Sequence, residues 1–301
     1  MRSVERPPLS VVISNTQPWP EVRPCLDSLH SQAQTIGAEI ILADSSGQGL
    51  PDVPDSSYPE VTWLKAPGAS VFQLRALAIA HARGEIIAVT EDHCVPQPGW
   101  CEQILKAHKD YPEAAAIGGA VENGATASLV DWAGFFINNA RFMLPIQCGE
   151  CEHISLQANI SYKRRALPDR FPDYGIVEHL FNRALREKGE KLVADDQIVV
   201  KHVQSLGLLD SCTINFHSGR SVTGFRLRHM HSGERLLQLP RCFIVPLVRL
   251  WVTLRLVLRK RRFVGQLLAS IPIMACILSF VAAGEFVGFI AGPGNSPQRL
   301  Q

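Results

Sequence analysis

Gly84-Glu85-Ile86-Ile87-Ala88-Val89-Thr90-Glu91-Asp92-His93-Cys94 is an apolar run that stops abruptly in two acids and an imidazole. A short continuous apolar run with a polar end reads as a buried strand. Open α/β sheets bind their ligands beyond the carboxyl ends of their strands, so this stretch bears on both the fold and the chemistry. Glu91 and His93, two apart, project to the same side of an extended chain, where they could share one divalent cation. The spacing is that of a DxD motif with replacements. The alternative is a strand-to-loop turn whose polar residues merely face water.

Working outward, strands and helices alternate. Leu9–Ser14 is a short apolar strand, and after Pro18 and Pro20 the segment 21–34 has helical spacing through Val22, Cys25, Leu26 and Leu29. Glu39–Ala43 is a second strand, broken by Asp44-Ser45-Ser46-Gly47. A proline-rich loop at 51–59 leads to the strand Val61–Leu64, and a helix is expected from Val71 to Ala82. Downstream, 114–121, 155–162 and 197–202 have strand character, and 174–188 is a helix closed by Gly189. No internal repeat is apparent. The alternation argues an α/β class with a doubly wound, largely parallel sheet. One domain is expected over residues 1–215 and a second region over 216–301.

The chain has 301 residues and a net charge of +2, unevenly distributed. From Arg220 to Arg262 the cations Arg220, Arg226, Arg228, Arg235, Arg241, Arg249, Arg255, Arg259, Lys260, Arg261 and Arg262 face one acid, Glu234. That asymmetry suggests an anionic membrane surface as partner, with no nucleic acid expected. The eight cysteines are scattered and the N-terminus is polar, which favours a cytosolic setting for the catalytic part. Cys148-Gly149-Glu150-Cys151 with His153 has zinc-like spacing, but a structural zinc needs four ligands and no second pair is close.

Leu267–Gly284 carries no charge, and these eighteen residues as a helix extend about 27 Å, close to a bilayer's hydrocarbon thickness. Arg259-Lys260-Arg261-Arg262 before it would hold that end in the cytoplasm. Upstream, Phe243–Leu258 is apolar, but Arg241, Arg249, Arg255 and Arg259 fall within one broad sector of a helical wheel. That fits an interfacial amphipathic helix. The alternatives are a two-helix hairpin with snorkelling arginines and a buried soluble helix.

Six motifs in order over about 200 residues resemble the family 2 glycosyltransferases of GT-A fold. They are Ser10–Ile13, Leu42–Gly47, Arg75–Ile87, Glu91-Asp92-His93, Gln157–Arg165 and Val177–Gly189. The resemblance implies a Rossmann-like, doubly wound mixed sheet of GT-A type followed by a membrane-associated helical region. It implies a transferase that moves a sugar, with inversion, from a nucleotide-sugar donor to an acceptor. A membrane anchor on a cytosolic transferase makes a lipid-linked or glycan acceptor the economical choice.

By the same resemblance, Glu91 and His93 would hold Mn²⁺ or Mg²⁺, and His202 would reach the metal or the diphosphate. Asp44 would contact the base or ribose, Asp92 the ribose or sugar, and Arg75 the diphosphate. Glu178 takes the place of the second acid of the family's Glu-Asp pair and is the candidate general base, while Val177 stands where the first acid belongs. Asn159 and Arg164 would shape the acceptor side. The altered DxD and the missing first acid also leave open a non-catalytic nucleotide- or glycan-binding membrane protein of the same fold. A nucleotidyl- or phosphotransferase on a similar sheet is a third reading.

Overall fold

The computed structural model describes residues 6–19, 21–47, 57–227, 230 and 238–300. Pro20, most of the proline-rich loop, and Arg228, Glu234 and Arg235 of the basic segment lie outside the described residues. The chain divides into two compact units, one of residues 1–122 and 144–202, the other of residues 123–143 and 203–301. Residue 215, the expected boundary, falls inside a continuous helix, Leu208–Arg226.

The first unit opens with β1 (Leu9–Asn15), α1 (Arg23–Ile36), β2 (Glu39–Asp44), β3 (Val61–Lys65), α2 (Val71–His81) and β4 (Ile86–Glu91). β1, β2 and β4 are buried at every position, as apolar runs covered on both faces must be. Gly37 at φ 67° stops α1, and a Ser70–Gln73 capping box starts α2. β1 through β4 pair in parallel, with Ser14 beside Glu91 and Asn15 beside Asp44. The carboxyl ends of three strands therefore meet at one edge.

The second half of the sheet is antiparallel. After β5 (Cys94–Pro96), α3 (Trp100–Asp110) and β6 (Ala114–Asn123) come α4 (Leu129–Asn139), which belongs to the other unit, and the short β7 (Gly149–Glu150). β8 (Ile160–Lys163), α5 (Glu178–Glu187) and β9 (Lys191–His202) complete the sheet. The order is β3-β2-β1-β4-β8-β6-β9-β5, with β7 also on β9, so the sheet is mixed. The antiparallel strands β5 and β7 and helices α3 and α4 are not legible in the sequence pattern.

Two expected elements are shorter than the pattern suggests. The strand expected from 155 starts at Ile160, because Asn159 N turns back to Leu156 O at 3.0 Å. The helix expected from 174 starts at Glu178. Gly175 turns at φ 86° with its Cα against Phe72 O, so closely that a Cβ would lie 2.0 Å away. Ile176 N then donates to Phe72 O at 3.0 Å.

In the second unit, α6 (Leu208–Arg226), α7 (Arg241–Lys260) and α8 (Val264–Ala291) pack together with α4. α6 and α8 cross closely. A Cβ on Gly284 would lie 2.0 Å from Phe216 O, and one on Gly219 2.5 Å from Val281 O. Gly284 and Gly288 form a GxxxG step, the small-residue spacing that lets apolar helices touch backbone to backbone. Arg249 of α7 and Glu285 of α8, the charges that interrupt two apolar runs, face each other at 4.0 Å. At the turn between these helices Arg261 and Phe263 adopt φ 54° and 56°, and Lys260 Nζ donates to Arg141 O at 2.9 Å.

α7 leaves Phe243, Ile244, Leu247, Val248, Trp251 and Leu258 exposed. At 100° per residue these form one stripe, with Arg241 and Arg259 along its flank and Arg255 within its edge. α8 spans 28 residues, about 42 Å as a helix, and less than half of its most apolar window is buried within the protein.

Candidate active site

All the chemistry-bearing groups expected from the sequence at the strand ends lie in the first unit. Register places Glu91 at the last position of β4, and the chain then turns through Asp92 and His93 into β5. That two-residue turn folds Cys94 back, so Glu91, His93 and Cys94 bring a carboxylate oxygen, a ring nitrogen and a sulfur within 4.8 Å of one another. A period-two reading of the strand misses Cys94, because the turn and not the pleat aims it. β5 pairs with β9 so that Cys94 stands opposite His202. The His202 ring meets that of His93 edge-on, with centroids 4.6 Å apart.

Glu91 and His93 each have one side already engaged. Asp92 Oδ1 lies 2.5 Å from His93 Nδ1, while Asp92 Oδ2 accepts from Thr16 N at 2.8 Å and Gln17 N at 3.3 Å. A carboxylate on Nδ1 fixes the imidazole's orientation and presents Nε2; here Nε2 is 3.5 Å from Glu91 Oε2. Glu91 Oε1 accepts from Arg75 Nη2 at 3.0 Å, and Arg75 Nη1 donates to Glu178 Oε2 at 3.1 Å. One guanidinium thus joins two acids 87 residues apart in sequence (178 minus 91). Glu178 begins α5 and is buried, and its Oε1 has no hydrogen-bond partner among the described residues.

The electrostatics follow from burial and these contacts. Burial works to raise the Glu91 carboxyl, but His93 and Arg75 outweigh it and hold the group down at about 2. Burial works against the His93 cation, yet Asp92 and Glu91 carry it up to about 10. His202 is pushed down to about 3, by burial and then by the charge of His93. Burial raises Glu178 more than Arg75 lowers it, so its carboxyl lies above the usual range. Burial and the charge of Glu91 raise the Cys94 thiol as well. A divalent cation among these donors would reverse the local balance, displacing protons from nitrogen and sulfur.

Arg75, expected at the diphosphate, is 3 % exposed and bridges two carboxylates. Asp92, expected to contact the ribose or sugar, is buried with both oxygens engaged, one of them by His93. Asp44 closes an Asx-turn, with Oδ1 accepting from Ser46 N at 3.2 Å, Ser46 Oγ at 2.8 Å and Asn15 Nδ2 at 2.6 Å. It stands at the same strand-end edge as Glu91.

Asn159, expected on the acceptor side, is 0 % exposed. Its amide donates to Ala120 O at 2.7 Å and Ile198 O at 2.8 Å, and accepts from Trp100 Nε1 at 2.8 Å. Arg164 binds Gly84 O at 2.8 Å and Ala82 O at 2.6 Å, at the amino end of β4. A six-residue strand separates it from Glu91, about 17–20 Å at 3.3 Å per residue. Arg164 therefore fastens the entry to the strand, away from the site. Cys148 is exposed, and Cys151 Sγ lies 3.5 Å from His153 O; among the described residues this pair joins no metal-type cluster.

The family model described as "Glycosyl transferase family 2" matches residues 10–171, more than half of the chain. The chain belongs to glycosyltransferase family 2. A protein of Bacillus subtilis (strain 168) named "Putative glycosyltransferase EpsH" is 27 % identical over 133 residues. That match covers 42 % of this chain and 38 % of the relative, so it spans well under half the relative's length. The mannosyltransferase PcManGT of Pyrobaculum calidifontis, solved in complex with GDP-Man and Mn²⁺, superposes with a TM-score of 0.55 at 14 % identity. It covers 96 % of this chain and 88 % of that one, a likeness of fold. S. aureus TarS 1–349 in complex with UDP-GlcNAc gives a TM-score of 0.47 at 14 % identity, over 66 % of this chain and 59 % of that one. In this family 2 chain, Glu91-Asp92-His93 stands at the end of β4, and its three side chains divide into two that face one another and one, Asp92, that supports them.

Proposed function

We propose that this chain transfers a sugar from a nucleotide-sugar donor to a lipid-linked or glycan acceptor, inverting the anomeric centre, at the cytosolic face of a membrane. The observation that carries it is the Arg75 bridge. It fixes Glu91, on the cation side, and Glu178, on the base side, to one buried guanidinium. Glu178 Oε1, unpartnered and on a carboxyl of raised proton affinity, is suited to take a proton from an acceptor hydroxyl.

In that step the acceptor oxygen forms a bond to the anomeric carbon as the bond to the diphosphate oxygen breaks. The electron pair leaves with the nucleoside diphosphate and the proton goes to Glu178. Glu91 and His93 would hold a divalent cation, with His202 beside them, and Asp92 would keep His93 in register. Such a cation supplies Lewis-acid stabilisation of the departing diphosphate. Arg75 keeps the two carboxylates from drifting together or apart. Asp44, at the neighbouring strand end, is placed to define the nucleoside side. The membrane part of the proposal draws on the exposed apolar stripe of α7, the length of α8, and the basic run 259–262 at the turn between them.

The test is release of nucleoside diphosphate by the detergent-solubilised full chain, given a panel of nucleotide sugars and a membrane lipid extract. Glu178→Gln should abolish release while leaving nucleotide-induced thermal stabilisation intact. Full turnover in that variant would remove Glu178 as base. Nucleoside monophosphate as the product would replace glycosyl transfer with nucleotidyl or phosphosugar transfer.

A further inference from the structure

The donors that converge at the end of β4 are not the oxygen set that a hard cation favours. Mg²⁺ demands near-octahedral oxygen coordination, and the cluster here offers one carboxylate oxygen, one imidazole nitrogen and one sulfur. We propose that Cys94 completes a Glu91–His93–Cys94 ligand set, and that the site takes a borderline divalent cation of the Zn²⁺ and Co²⁺ type in preference to Mg²⁺. This deepens the transferase reading by naming the class of cation at the same site.

Three features of the geometry support it. First, the outer atoms of two of the three ligands are already held: Glu91 Oε1 by Arg75 and His93 Nδ1 by Asp92, which is itself held by the backbone of Thr16 and Gln17. The second donor atoms, Glu91 Oε2 and His93 Nε2, face each other across 3.5 Å as carboxylate and N–H, and a cation between them would take the place of that proton. The Asp92–His93 pair is the carboxylate–histidine arrangement that accompanies histidine ligands. Second, Cys94 is fully buried and pinned by strand pairing to His202, so its sulfur is positioned by the sheet and not by a mobile loop. Third, three protein ligands of mixed O, N and S type leave a further position open, as catalytic sites of this cation class do. Nitrogen and sulfur donors bind the later first-row cations more tightly than the earlier ones.

The test uses Co²⁺ as a spectroscopic probe on the full chain in detergent, stripped of metal with a chelator and studied without donor or acceptor. Co²⁺ should produce a thiolate-to-cobalt charge-transfer band in the near ultraviolet. Zn²⁺ should remove the band, and Mg²⁺ in large excess should not. Cys94→Ser should lose the band while Cys148→Ser, at an exposed thiol, retains it. Asp92→Asn should keep the band but weaken Co²⁺ affinity by about 10- to 100-fold.

A band that survives Cys94→Ser, or one that vanishes with Cys148→Ser, overturns the proposal. So does displacement of Co²⁺ by Mg²⁺ in the unmodified chain, a measurement that does not depend on any variant folding. Failure here is separable from failure of the transferase reading. An active enzyme satisfied by Mg²⁺ and lacking the band would sink the ligand set alone. A chain that shows the band but releases no nucleoside diphosphate would sink the transfer alone.

Discussion

Replacing Arg75 with Met removes a buried cation from between two buried acids and leaves the volume nearly filled. Glu91 and Glu178 each lose one charge-assisted hydrogen bond, of 3.0 and 3.1 Å. Removing one partner of a buried ion pair typically costs about 3–5 kcal/mol, because the remaining charge is uncompensated. For a unit of this size that corresponds to about 6–20 °C in apparent Tm. The pH dependence identifies the cause. In the unmodified chain Glu91 is held at about 2, below its unfolded value, so its contribution is present above the unfolded pKa and is lost as pH falls through the folded one. In Arg75→Met the Glu178 carboxyl should rise further above its unfolded value, while Glu91, still held down by His93, should rise toward its own. The folded variant then binds more protons than the folded unmodified chain, so its deficit grows as pH rises. Thermal melts at pH 5 and pH 8, followed by circular dichroism, should show the variant's deficit larger at pH 8. Arg75→Lys, which keeps a charge but not the fork, should fall between. An equal deficit at both pH values, or a Tm within a degree or two of the unmodified chain, would refute the bridge as a stabilising element.

Other expectations concern different parts of the molecule. His108, buried against Ser161 Oγ at 2.9 Å, is pushed down to about 3 by burial and then by Lys163. The unfolded state therefore binds more protons below about 6.5, and stability should fall by about 2 kcal/mol between pH 6.5 and pH 5 on this account. Denaturant titrations should show that increment missing from His108→Leu. Asn159→Ala takes a hydrogen bond each from Trp100 Nε1 and the carbonyls of Ala120 and Ile198 and should cost about 3 kcal/mol. Its nucleotide affinity per folded molecule, read by calorimetry, should be unchanged; selective loss of acceptor use would restore it to the acceptor side. In anionic vesicles carrying brominated lipids, Trp251 should be quenched, and Trp251→Phe should remove that component of the quenching. Quenching unchanged by the substitution would take α7 off the membrane surface.

Much of the first unit was legible because its signals are local. Apolar runs at 9–14, 39–43 and 86–89 read as buried strands once helical segments separate them, whereas the helix ends at Gly37 and Ser70 were fixed by the structure. The antiparallel half was harder. β5 is three residues long, and α3 is a short amphipathic segment whose pattern gives little warning. Asn159 and Arg164 show the limit most clearly. A polar residue beside a strand looks the same in sequence whether it faces a ligand, bonds three strangers in the core, or caps the far end of a neighbouring strand.

The sequence by itself determined which groups stand at the ends of the strands. It placed Glu91 and His93 after β4, Asp44 after β2 and an acid at residue 178, and it supplied an apolar C-terminal helix with a basic run before it. Residue type and local period suffice for that, since both act within a few positions. Only the tertiary structure decided what those groups do to one another. Arg75 reaches Glu178 across 103 positions, Asp92 reaches Thr16 across 76, and the pairing of β5 with β9 sets His202 against His93. Such contacts depend on sheet register and helix docking, which are settled by the burial of the whole core and by no single stretch of chain.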